Sequence, residues 1–170
     1  MSISMYELTV PVFTHNLTNL IAILEKGAAF SEAKNIDPSV LPNSRLAPDM
    51  HPLKKQVQIT SDNVKGALAR LAGVELPSWE DNENTFAELI ARVQKTIDYT
   101  KTFKAAQIDG SENKAIELKL GPSFEMNFEG MGFLQLMVLP NFYFHLSTTY
   151  DILRHNGVDL GKRDLLGKIQ

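Results

Sequence analysis

A chain of 170 residues, 44% hydrophobic and 22% charged, has the make-up of one globular domain and not of a disordered or fibrous polymer. Its net charge of −3, with lysines and arginines scattered along the chain, argues against nucleic acid or an anionic membrane as partner. The absence of cysteine excludes disulfides, thiolate metal ligands and a cysteine nucleophile.

The first ten residues lack the basic and apolar segments of a secretory signal, and no run approaches the ~20 apolar residues of a membrane span. The expected location is the cytoplasm. The first helix is predicted from Ser4 to Ala29, with Phe13, Leu17, Leu20, Ile21 and Leu24 on one stripe. Pro11 lies near its start, and His15 projects off the stripe toward solvent or a subunit contact. A connection containing Pro38, Pro42 and Pro48 follows.

A second helix should begin between Pro48 and Pro52, with Asp49 in its first turn, and end before Gly73. Leu53, Val57, Thr60, Val64, Leu68 and Leu71 form its inward face, and Gln56 and Asn63 border it. After a loop with Pro77 and Trp79, Thr85 and Glu88 read as a capping box opening a third helix that runs to about Lys104. The carboxylates Glu80, Asp81 and Glu83 read as solvated charge ahead of that helix. The period then changes: Ile116, Leu118 and Leu120 alternate with polar residues, as do Phe124, Met126 and Phe128 beyond Gly121-Pro122, which predicts a β-hairpin docked on the helices.

The last helix is predicted from about Gly130 to Asn156, closed by Gly157, with an irregular tail to Gln170. On it Leu134, Val138, Asn141, His145, Thr148 and Ile152 share one face, apolar at both ends and polar in the middle. Asn141 and His145 are one turn apart, and Pro140 should bend the helix beside them. His145 suits a hydrogen-bonded core position, a metal ligand or an acid–base group. Tyr143 could direct its hydroxyl into a pocket, while Phe142, Phe144 and Tyr150 read mostly as core. His51, just before Pro52, suits a surface or capping position with some reach to the interior, and His155 suits a helix C-terminus. Together these elements predict a single all-α domain over residues 1–170, a four-helix bundle with a hairpin between its third and fourth helices.

Arg45-Leu46-Ala47-Pro48-Asp49-Met50-His51-Pro52-Leu53, Ala69-Arg70-Leu71-Ala72-Gly73, Pro140-Asn141-Phe142-Tyr143-Phe144-His145 and Ile152-Leu153-Arg154-His155-Asn156-Gly157-Val158 resemble a bacterial family of unknown function within the DinB/YfiT-like superfamily of proposed metalloenzymes. The resemblance spans nearly the whole chain. It implies a DinB-like bundle, frequently a homodimer, in which one histidine of the second helix and a His-x-x-x-His pair of the last hold a divalent metal. Some relatives transfer low-molecular-weight thiols. Here His145 matches the second histidine of the pair, Asn141 replaces the first, and Gln56 stands where the second helix should supply its ligand, with His51 more than a turn earlier. The expectation is a degenerate interhelical site of Gln56, Asn141, Tyr143, Thr148 and His145. It would bind a small molecule, with zinc or nickel held at most weakly by His145 and His51, and His145 as base in any chemistry. The alternative is a non-catalytic dimeric protein whose polar core only sets helix register.

Overall fold

The computed structural model describes residues 4–119 and 125–168. Four long helices form the bundle: α1 (Val10–Ala33), α3 (Leu53–Ala72), α4 (Phe86–Lys101) and α7 (Leu139–His155). Shorter helices fill the connections: α2 (Val40–Asn43), α5 (Ala105–Ile108), α6 (Gly130–Phe133) and α8 (Lys162–Leu166). Strands β1 (Ala115–Lys119) and β2 (Glu125–Glu129) pair antiparallel between α5 and α6. The architecture is a four-helix bundle with a hairpin between its third and fourth long helices. No described helix is long and apolar enough to cross a membrane.

Helix α1 packs on α4, α4 on α3, and α3 on α7. Apolar stripes drive this packing: Phe13, Leu17, Leu20, Leu24, Leu68, Leu89 and Phe142 are fully buried in one core cluster. Phe13 meets Phe142 edge-on with ring centroids 5.2 Å apart, joining α1 to α7.

Several boundaries differ from expectation for local reasons. Residues 5–9 form turns, so α1 starts at Val10 and Pro11 falls in its first turn, where no N–H is required. Helix α3 starts only at Leu53, with Pro52 as its N-cap, so Asp49 lies outside the first turn and does not meet the helix dipole. Gly73 closes α3 with φ +71°, a left-handed backbone that glycine adopts freely. The capping box of α4 is present: Thr85 Oγ1 accepts from the Glu88 N–H at 3.3 Å, and Glu88 Oε2 accepts from the Thr85 N–H at 2.9 Å. The tail is partly helical, since α8 docks on α1 through Lys26–Asp164 at 2.7 Å and through Asn19, whose Nδ2 donates to the Leu165 carbonyl at 3.1 Å.

In the hairpin Ile116 faces Phe128 and Leu118 faces Met126, so the apolar alternation of both strands points one way. Leu120, Gly121, Pro122 and Phe124 lie outside the described residues. At the hairpin's exit the backbone passes very close to the α5–β1 connection. A Cβ on Gly130 would stand 1.9 Å from the Ser111 carbonyl oxygen, so only glycine fits.

The 74–85 loop is held by a buried cation. The Arg92 side chain, 2% exposed, pairs with Asp62, Asp81 and Glu83, each at 3.0 Å, and donates to the Glu80 carbonyl at 2.8 Å. Glu83 also accepts from Gln58 Nε2 at 2.8 Å. Asp81 and Glu83 are therefore not solvated helix-start charge but counter-ions to Arg92. Arg92→Ala would leave Glu83 buried without its cation, and should lower the unfolding free energy by about 3 kcal/mol in urea titrations. A loss under about 1 kcal/mol would show that the cluster does not hold the loop.

Candidate functional site

Helices α3 and α7 bring Gln56 and His145 into contact. His145 Nδ1 lies 2.6 Å from Gln56 Oε1, while Gln56 Nε2 donates to the His51 carbonyl at 3.0 Å. A carbonyl can only accept, so Gln56 must present its NH2 to His51 and its oxygen to His145. His145 must then donate from Nδ1, leaving the Nε2 lone pair as its acceptor. Gln56 is 1% and His145 8% exposed. The Phe144 ring stands edge-to-face on the imidazole at 5.1 Å.

Burial lowers the His145 pKa to about 4, with a smaller contribution from the neighbouring His51 imidazole. A positive charge on the ring would lose its hydration without gaining a carboxylate. At neutral pH the side chain is an uncharged hydrogen-bonding group of fixed tautomer.

About two turns before His145 the last helix changes pitch. Leu134–Val138 form a π-helical segment, and the Leu139 N–H reaches back to the Leu134 carbonyl. The wider turn relieves the contact that the Pro140 ring would otherwise make with the Leu136 carbonyl. Asn63 Nδ2 donates to the Val138 carbonyl at 2.8 Å and ties this turn to α3. Next to it lies a groove of about 480 Å³, lined by Asn63, Asn141, Met137 and Arg70 of the two helices, Trp79 of the loop and Phe133 of α6. Such a volume suits a metabolite-sized ligand.

The expected pocket is therefore divided. Asn141 lines the groove, whereas Gln56 and His145 meet about a turn farther along the seam and are absent from its lining. Thr148 Oγ1 donates to the Phe144 carbonyl of its own helix at 2.7 Å. Tyr143 is half-exposed and packs on Phe142; its position two residues before His145 turns it to the other side of α7. Phe144 is also exposed, so neither aromatic is core. His51 is exposed and enters through its backbone oxygen. His15 is exposed as well, with Nε2 2.8 Å from the Leu166 carbonyl of the tail.

The residues present do not make a three-histidine metal centre. Among the described residues no three histidine, cysteine, aspartate or glutamate side chains converge to hold an ion. His145 also commits Nδ1 to Gln56, and a stable zinc or nickel site needs about three to four protein donors.

A family model described as a domain of unknown function, DUF1993, matches residues 5–166. The chain belongs to the DUF1993 family. A crystal structure of a DinB family member protein from Shewanella denitrificans is similar to this DUF1993 chain at 41% identity, with a TM-score of 0.88 over 96% of this chain and 92% of that one. No curated protein matches it.

The lowered pKa carries a pH dependence with a definite sign. Above pH 6.5 folded and unfolded chains both hold His145 neutral. Below it the unfolded chain takes up a proton that the folded chain refuses until about pH 4, so acid removes stability. Between pH 7 and 5 this amounts to about 2 kcal/mol. Urea unfolding should show a loss of that size relative to His145→Gln, and an imidazole titrating near 6.5 by NMR would refute it.

Proposed function

We propose that this DUF1993 chain binds a small organic molecule in the groove between α3 and the last helix, without acid–base chemistry of its own. The observation that carries the reading is the groove itself: about 480 Å³, largely apolar, with the Asn63 and Asn141 carboxamides on its wall. Asn141 has no side-chain hydrogen-bond partner among the described residues, so its amide is available to a ligand. The Gln56–His145 pair holds the same two helices together farther along their seam.

Thiol transfer, which the resemblance suggests, is less well supported. Moving a proton from a thiol of pKa about 8.5 to an imidazole of pKa about 4 is uphill by about 4.5 units, or roughly 6 kcal/mol. The ordinary route around that difficulty is a metal-bound thiolate, and the donors for such a metal do not converge here.

A second reading is a protein whose polar core only sets helix register. It is favoured by the closure of the polar line: Gln56, His145 and Thr149 all find partners inside the protein. One variant separates the two readings. Asn141→Leu should weaken the binding of fragments that shift the Asn63 and Asn141 amide signals in NMR by at least about fivefold, with under about 1 kcal/mol of stability lost. Unchanged binding with a larger loss of stability would favour the register reading.

Homodimerisation belongs to the same proposal. Leu136, Pro140, Tyr143 and Phe144 recur at helical spacing on the outer side of the last helix, with Leu136 74% and Phe144 54% exposed. Light scattering should give twice the monomer mass, and Phe144→Asp should return the monomer. A native chain that is monomeric at micromolar concentration would rule the dimer out.

A further inference from the structure

We infer that the groove takes an organic anion, a carboxylate carried on an apolar body, with Arg70 as its anchor. This rests on the small-molecule reading above and adds the class of ligand.

Arg70 lies in the last turn of α3 and folds its guanidinium back along the helix, donating from Nη1 to the Gly66 carbonyl at 3.0 Å. Gly66 makes room for it: a Cβ there would stand 2.5 Å from Nη1. Glycine is a poor helix former, and what its bare Cα admits here is a cation laid against the groove wall. Burial disfavours the charge on Arg70, yet no carboxylate stands within 4 Å of it among the described residues. Arg70 is half-buried, whereas Arg92, the buried arginine of this region, has three.

The charges lining the groove are Asp62, Lys65 and Arg70. Asp62 is taken up by Lys65 at 2.8 Å and by Arg92 at 3.0 Å, which leaves Arg70 as the uncompensated charge among the described residues of the lining. A guanidinium carries five N–H donors, and one is used on Gly66. The remaining donors suit a carboxylate, which accepts from arginine in a two-pronged geometry. Asn141, on the same groove wall, offers an amide to another part of such a ligand.

The size and lining of the groove argue against a bare inorganic anion. A cavity of about 480 Å³ is many times the roughly 30 Å³ share of one water, and Trp79, Phe133, Met137 and Leu118 give it apolar walls. Those walls call for a body of hydrocarbon or aromatic rings, with the charge placed at the Arg70 end.

The test pairs each anion with a neutral twin. Biphenyl-4-carboxylate, 2-naphthoate and octanoate, each against its primary amide, are titrated into the full chain by calorimetry. Trp79, the only tryptophan of the chain, reports occupancy of the groove by fluorescence. At least one carboxylate should bind about tenfold or more tightly than its amide and perturb Trp79. Arg70→Gln should bring that carboxylate down to the affinity of its amide while leaving the amide unchanged, and Arg70→Lys should retain part of the preference. Equal binding of acid and amide by the native chain would overturn the anion inference and leave the small-molecule reading intact. A preference that survives in Arg70→Gln would overturn Arg70 as anchor. Failure of every pair to bind would overturn both readings.

Discussion

The buried guanidinium of Arg92 is the constraint on which the groove depends. A cation in the interior must be surrounded by acceptors, or the loss of its hydration outweighs the packing around it. Arg92 meets that requirement at both Nη atoms, with Asp62 from α3, with Asp81 and Glu83 from the 74–85 loop, and with the Glu80 carbonyl. The loop is thereby drawn onto the α3–α4 face, and Trp79 comes with it. Lys65 and Lys95 stand 4.6 and 4.4 Å from the centre of the indole ring and hold it from either helix. Without that arrangement the groove beside α3 would have no outer wall.

The seam between α3 and the last helix is held at two heights by hydrogen bonds instead of by apolar contact alone. Gln56 meets His145 at one level, and Asn63 meets the Val138 carbonyl at the other. The second contact lands on the last residue of the π turn before Pro140. Burial accounts for both the contact of Gln56 with His145 and the weak basicity of the ring, because the surroundings that strengthen a neutral hydrogen bond penalise the imidazolium. A site that would otherwise suggest proton transfer is thus better suited to holding two helices, and the adjacent groove is better suited to holding a ligand.

Much of the fold was legible in the sequence because its signals are local. Thr85 and Glu88 sit at capping-box spacing, Gly73 and Gly157 follow apolar stripes, and the strands alternate with a period of two, so neighbouring residues carry the information. Local rules also misled. Asp81 and Glu83 look like helix-start charge in any window that leaves out Arg92, which sits on the following helix. Asp49 looked like a first-turn residue because the helix was expected a few positions early, before Pro52 set its N-cap. His15 showed its exposure but not the tail that packs beside it. Arg70 gave no functional signal in the sequence; a glycine four residues before an arginine, inside a helix, was the only trace of its folded-back side chain.

By itself the sequence determined four long helices, their inward faces, the hairpin's apolar face and the burial of His145, since periodicity and caps act within an element. It also presented Gln56, Asn141 and His145 as members of one polar site. Only the tertiary structure decided that Gln56 and His145 meet in the seam while Asn141 faces a groove closed by a loop some sixty residues earlier in the chain. The physical reason is that charge, desolvation and cavity shape belong to surfaces between elements. A histidine's basicity and an arginine's lack of a counter-ion depend on what other parts of the chain bring beside them.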